Sequence, residues 1–200
     1  MIKSESISAV ILAAGTSGRM KKNKTELRFD NKRTFFEKIT SEYINFGCKE
    51  IIAVLNEENY NSLLKVISEI PSEIRIVINK HPENGRFYTL KTGVGELCET
   101  DFIFIQNIDN PFVSIRDLYI LASNYDKADY IIPSFNKQGG HPVLISRKIA
   151  DAVKAELTDD INIKTFLNNF EKKYIPTDNE KISVNINTVS DYNLYFNTIK

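Results

Sequence analysis

Ile7-Ser8-Ala9-Val10-Ile11-Leu12-Ala13-Ala14-Gly15-Thr16-Ser17-Gly18-Arg19-Met20 is the stretch on which the reading of the whole chain turns. Ile7–Ala13 is apolar except for Ser8. A short apolar run of this kind reads as a strand buried on both faces. It passes directly into a glycine loop. Gly15 and Gly18 let the backbone turn with its N–H groups to one side, as a nest for an anion. Thr16 and Ser17 add hydroxyl donors, and Arg19, Lys21, Lys22, Lys24 and Arg28 place five cations within residues 19–28. Backbone donors and clustered cations suit a polyphosphate. The loop is neither a P-loop, which needs four residues between its glycines and then Lys-Ser/Thr, nor a GxGxxG dinucleotide turn.

Outward from this loop the pattern alternates. Further apolar runs lie at Ile51–Leu55, Ile74–Ile78, Phe102–Ile105, Tyr130–Ile132 and Val143–Ile145. Amphipathic stretches between and after them predict helices at Phe35–Phe46, Tyr60–Ile70, Phe87–Leu97, Ile115–Ser123, Arg147–Glu156, Ile163–Phe170 and Ser190–Ile199. Thr34-x-x-Glu37, Ser114-x-x-Asp117 and Thr188-x-x-Asp191 are capping boxes at helix starts. Asp30-Asn31 and Asn136–Gly140 read as turns between short strands. Strand and helix in alternation give an α/β fold, a mostly parallel sheet covered on both faces, with a small antiparallel excursion near residues 129–146. Ligands of such sheets bind at the carboxyl ends of the strands, which points to the loops after Ala13, Leu55, Ile78 and Asn107.

Composition narrows the field. Residues 1–200 fit one domain, and 42% hydrophobic residues supply a core without staples. The 26 basic and 26 acidic side chains cancel, which disfavours bulk binding to nucleic acid or a membrane surface. No apolar run reaches the length of a membrane span, and the N-terminal stretch is too short for a signal peptide. Cys48 and Cys98 form no CxxC pair and read as reduced thiols of a cytoplasmic protein. His81 and His141 stand too far apart in sequence to suggest a zinc site.

LAAGTSGRMKKNK, residues 12–24, resembles the LAAGxSxRMGxxK signature of the MobA-like nucleotidyltransferases. Four more segments are similar to that family in order. They are Asn79–Gly93, resembling N-x-x-x-x-x-G-M-S-S-S-L-x-x-G, then Ile108–Phe112 (GDxPF), Gly140–Leu144 (GHPVL) and Asn185–Asp191. The resemblance implies a Rossmann-like nucleotide-diphospho-sugar transferase fold, GT-A-like. It also implies Mg²⁺-dependent transfer of a nucleotide, with pyrophosphate released. In such chemistry the protein mainly positions the reactants and stabilises charge.

Carried over by position, the resemblance makes Arg19, Lys24 and Asp109 the catalytic set, with Lys24 and Arg19 on the leaving pyrophosphate. Lys21 stands where the family has Gly, so Lys21 and Lys22 read as an exposed basic stretch. Asp109 is the expected Mg²⁺ carboxylate, and Asn187 the second metal-side position. As a neutral amide, Asn187 binds directly, binds through water, or orients the site. Nucleotide contacts are expected at Leu12, Ala13, Ala14, Gly15, Thr16, Ser17, Lys24, Asn56, Asn79, Gly85, Thr89 and Asp109. Family guanylyltransferases read LAGG and cytidylyltransferases LAAG, so Ala14 favours CTP over GTP or another triphosphate.

Gly140, His141 and Lys164 are expected on the side of a small phosphorylated acceptor, beside Gly139. Relatives that act on the molybdenum cofactor carry GDxGAR where this chain has Asp159–Lys164, and Phe87 and Tyr88 replace small polar residues. These departures, with Ile108 in place of Gly or Cys, leave the acceptor open between a molybdopterin-type cofactor and another phosphorylated metabolite. The rival readings are a sugar-phosphate nucleotidyltransferase, whose GxGTRLxP is incomplete here, and a nucleotide-binding relative without catalysis.

Overall fold

In a computed structural model, which describes residues 6–16, 20, 23–125 and 128–196, the apolar run becomes strand β1, Ile7–Ala13, buried along its whole length. Its side chains alternate between two layers. Ile7, Ala9, Ile11 and Ala13 enter one apolar cluster, and Val10 and Leu12 the other. A strand buried on both faces must have helices on both sides. Helices α1 (Phe35–Phe46), α2 (Glu57–Leu63), α4 (Ile115–Asn124) and α7 (Val189–Phe196) contribute to the first cluster. Helices α3 (Gly85–Glu96), α5 (Arg147–Ala155) and α6 (Ile163–Leu167) contribute to the second.

The remaining strands are β2 (Ile51–Leu55), β3 (Ile74–Ile78), β4 (Phe102–Asn107), β5 (Tyr130–Phe135), β6 (Gln138–Gly139), β7 (Val143–Ser146) and β8 (Lys172–Pro176). They form one sheet in the order β3-β2-β1-β4-β7-β5-β6, with β8 also on β5. β1 pairs in parallel with β2 and β4, and β2 with β3. β7 runs antiparallel to β4 and β5, the expected excursion. The chain goes from β1 to β2 and β3 on one side, then returns to β4 on the other. That reversal makes the carboxyl edge between β1 and β4, where Leu12 pairs Asn107, the topological switch point.

All three capping boxes form. Thr34 Oγ1 accepts from Glu37 N–H at 3.2 Å while Thr34 N–H donates to Glu37 at 2.7 Å. Ser114 and Asp117, and Thr188 and Asp191, exchange the same reciprocal bonds. Asn136 and Lys137, at φ 48° and 66°, make the tight turn between β5 and β6. Asp30 closes its own turn by accepting from the N–H groups of Lys32 and Arg33 beside the Arg28–Thr34 bridge.

Several elements depart from the sequence reading, among them α6, expected to reach Phe170 but ending at Leu167. The helix expected at Tyr60–Ile70 begins earlier, at Glu57, because Asn56 caps its start, and it ends at Leu63. Strand β8 has no counterpart in the apolar pattern. It is an edge strand in which Ile175 alone is buried, and lysines and a proline fill its outer positions. Cys48 and Cys98 are unbonded, and burial pushes the Cys48 thiol pKa up.

Candidate active site

The end of β1 brings Leu12, Ala14, Gly15 and Thr16 to a cavity of about 330 Å³ at the switch point. Lys24, Gly85, Arg86, Thr89, Asn107, Ile108, Asp109 and Asn187 complete most of its wall. The loop is braced from behind by α2. Asn59 Nδ2 donates to the carbonyls of Ala13 at 2.5 Å and Gly15 at 3.1 Å. Asn56 Nδ2 donates to the Ala14 carbonyl at 2.9 Å. Three successive carbonyls, which would repel a phosphate, are thereby taken up on the α2 side. Asn59 Oδ1 also accepts from Asn23 Nδ2 at 2.6 Å, which fixes the residue before Lys24.

Asp109 and Asn187 are far apart in sequence and are joined by a backbone clasp. Ile186 N–H donates to the Asp109 carbonyl at 2.8 Å. Asn110 Nδ2 donates to the Val184 carbonyl and to Asn185 Oδ1, both at 2.8 Å. Behind the clasp, the buried Tyr43 hydroxyl donates to Gln106 Oε1, and Gln106 Nε2 donates to the carbonyls of Asn107 and Asn110. Asp191 accepts from the N–H groups of Asn187 and Thr188, and these bonds hold its carboxyl below the usual range.

Lys24 Nζ lies between the two joined residues, 3.1 Å from Asp109 Oδ2 and 2.6 Å from Asn187 Oδ1. Their oxygens therefore converge on one cation-sized point. Asp109 is 5% exposed, and its other oxygen, Oδ1, is buried without a hydrogen-bond partner among the described residues. A buried carboxylate oxygen left unpaired in this way can meet a ligand or ion.

A second cavity, of about 670 Å³, adjoins the first and shares Leu12, Arg86 and Asn107 with it. Gly139, Gly140, His141 and Lys164 line it, on the expected acceptor side. Gly140 lacks a side chain of necessity, since a Cβ would run into the Ile182 carbonyl. His141 Nδ1 is 3.4 Å from the Ile105 carbonyl and can only donate there, so Nε2 accepts from Asn107 Nδ2 at 2.8 Å. That pattern suits a neutral ring, and burial lowers its pKa below the ordinary 6.5.

Several expected residues fall elsewhere. Asn79 is buried, with Nδ2 donating to Thr89 Oγ1 and Oδ1 accepting from His81 N–H. Asn56, Asn79 and Ala13, expected as nucleotide contacts, are not among the residues that line the first cavity. Phe87 packs on Phe166 inside the core, so its departure from the family pattern does not face the acceptor. Asp159 pairs with Lys91 at 2.9 Å. Ser17, Arg19, Lys21 and Lys22 lie outside the described residues. Sequence reasoning passed over Asn59, Arg86 and Asn107. Their one signal is position: Asn59 stands three residues after the Asn56 cap, and the others adjoin Gly85 and Ile108.

Comparison with known proteins agrees with this fold. The profile of the MobA-like NTP transferase domain matches residues 9–174. The 2-C-methyl-D-erythritol 4-phosphate cytidylyltransferase of Fusobacterium nucleatum is 26% identical over 121 residues, a match taking in 58% of this chain and 51% of that protein. The chain thus spans about half the length of that relative. A nucleotidyl transferase from Methanothermobacter superposes with a TM-score of 0.76 at 22% identity, covering 96% of this chain and 98% of the other. The manganese complex of Rv0371C from Mycobacterium tuberculosis gives 0.74 at 16% identity, covering 96% and 99%. Carrying five motif segments in order on this sheet, and matched over residues 9–174, the chain belongs to the MobA-like nucleotidyltransferase family.

Proposed function

We propose that residues 1–200 act as one domain that transfers CMP from CTP to a small phosphorylated acceptor, with Mg²⁺ as the cofactor. The convergence of Lys24, Asp109 and Asn187 at the switch point carries this reading. An oxygen of the acceptor's phosphate attacks the α-phosphorus of the triphosphate. The bond from that phosphorus to the bridging oxygen breaks, and pyrophosphate leaves with the electron pair.

Asp109 and Asn187 would hold the divalent ion, and both offer the hard oxygen donors it takes. The orphaned Asp109 Oδ1 fits that role, and the Lys24 ammonium already stands where two of the oxygens meet a cation. When bound, the ion supplies positive charge to the phosphate oxygens. One carboxylate leaves much of its coordination to the triphosphate itself. Lys24 neutralises charge building on the leaving group, and α2 keeps the loop carbonyls away from the phosphates.

Ala14 lines the first cavity, and a Cβ there leaves less room than Gly would, which supports a pyrimidine over a purine. The similarity to a cytidylyltransferase supports the same choice. Calorimetry with Mg²⁺ should give tighter CTP than GTP binding, and Ala14→Gly should narrow the gap. Equal or stronger GTP binding by the parent protein overturns the CTP assignment. Pyrophosphate release, measured across the four triphosphates and a set of phosphorylated metabolites, tests turnover. No release with any pairing counts against catalysis.

A further inference from the structure

Two cations have a claim on the same oxygens. The Lys24 ammonium donates to Asn187 Oδ1 at 2.6 Å and to Asp109 Oδ2 at 3.1 Å. A divalent ion held by Asp109 and Asn187 together needs the Asn187 oxygen that Lys24 already occupies. Two positive charges at one such point repel strongly, most of all where water is excluded, and the Asp109 side chain is only 7% exposed. The orphaned Asp109 Oδ1 leaves an ion one protein oxygen. The second, from Asn187, is gained only once the ammonium moves off.

The structure confines that move to a side chain. The backbone around Lys24 is held on both sides. Asn23 Nδ2 donates to Asn59 Oδ1 at 2.6 Å, Glu26 N–H donates to the Asn23 carbonyl at 3.1 Å, and Thr25 is buried. Leu27 N–H donates to the Lys24 carbonyl at 3.3 Å, and Phe35 N–H to the Leu27 carbonyl at 2.7 Å. Lysine carries its charge on a flexible four-carbon stem, so the ammonium can swing while this turn stays in place. Lys24 shares its cavity wall with Gly15, Thr16 and Arg86, the donors that suit a triphosphate. Phosphate oxygens there offer the ammonium new acceptors.

We propose that Lys24 is a cation-exchange gate: it withholds Asn187 from the metal until a triphosphate draws the ammonium onto its own oxygens, and Asp109 and Asn187 then take the divalent ion together. The assignment rests on the nucleotidyl-transfer reading above. It makes the bare protein refuse a divalent ion and the nucleotide-loaded protein accept one.

Mn²⁺ titrations of the full chain, followed by loss of the free-ion electron paramagnetic resonance signal, test the gate without turnover. In the absence of nucleotide, Lys24→Met should bind Mn²⁺ at least tenfold tighter than the parent, and Lys24→Arg, which keeps the charge, should match the parent. Adding Asn187→Ala to Lys24→Met should return the affinity to the parent's level, whereas simple loss of a nearby positive charge would leave the gain in place. Calorimetry with the non-reacting analogue α,β-methylene-CTP supplies a second reading. Mn²⁺ should tighten its binding at least tenfold in the parent and by less in Lys24→Met, since coupling between the two ligands is reciprocal. Equal or weaker Mn²⁺ binding by Lys24→Met, a gain that survives Asn187→Ala, or an analogue that binds the parent equally with and without Mn²⁺ overturns the proposal. Absence of analogue binding by the parent instead counts against nucleotidyl transfer, and the nucleotide-free titrations still judge whether Lys24 withholds Asn187.

Discussion

Removing the Lys24 ammonium should act on both stability and rate. A lysine in an exposed loop changes stability by about 0.5 kcal/mol or less when truncated. Lys24 is not such a residue: its side chain is 18% exposed and that of its partner Asp109 is 7% exposed. Lys24→Ala leaves a buried carboxylate without this cation, at a cost of about 1–3 kcal/mol. Turnover should fall roughly 10²- to 10³-fold, the usual loss when one preorganised charge contact is removed. Thermal melts with and without Mg²⁺ check the first effect, and the ion should restore more stability to the variant than to the parent. A variant with full stability and near-normal pyrophosphate release would refute the assignment. The motif made Lys24 and Asp109 legible as residues. Their contact was not legible, because 85 positions separate them and only the fold brings them together.

At the scale of elements, α2 is a short helix whose main product is the shape of the loop beside it. Asn59 holds two carbonyls of that loop and the Asn23 amide. Asn59→Leu should cost about 1–3 kcal/mol from unsatisfied buried groups. It should also weaken nucleotide binding, although Asn59 is absent from the cavity wall. A denaturant titration and CTP calorimetry read the two effects, and unchanged nucleotide affinity would show that the loop holds its shape without α2. Element recognition followed the same logic of local against distant causes. Capping boxes were readable because both partners lie within four residues. Strand β8 was not, since its pattern is polar and its place on β5 comes from partners about 40 residues earlier. The length of α2 was misread because Ile67 and Ile70 continue a helical spacing beyond the turn at Leu63.

At the scale of the molecule, pH and ligand binding report on the assembled sheet. His141 is bonded between β4 and the loop before β7, and burial keeps it neutral in the folded state. The unfolded chain takes up its proton near the ordinary 6.5, while the folded protein resists to lower pH. Between those values the unfolded state binds more protons, so stability falls as pH falls. The contribution is whole above 6.5 and is lost towards the folded-state pKa. One proton limits the slope to about 1.4 kcal/mol per pH unit. Urea midpoints from pH 7.5 to 5 should decline for the parent and less steeply for His141→Gln, and identical slopes would contradict this. Nucleotide and Mg²⁺ should also bind with reciprocal coupling, lost in Asp109→Asn and strengthened in Asn187→Asp. Mg²⁺ titrations with and without CTP measure it, and coupling that persists in Asp109→Asn places the ion elsewhere.

Local chemistry was decided by the sequence alone. The apolar run of β1, the glycine loop, the capping boxes and the five motif segments each depend on residues close in the chain, where spacing determines conformation directly. The family and the sheet architecture follow from these. Tertiary structure decided which polar side chains reach the cavities. Asn56 and Asn79 were drawn into bracing the backbone, and Phe87 into the core. Arg86 and Asn107 were brought to the seam of the two cavities, and Asp109, Asn187 and Lys24 to one point. A buried polar group must find a partner wherever the packed chain supplies one, and that supply is set by contacts between distant segments, which no local pattern records.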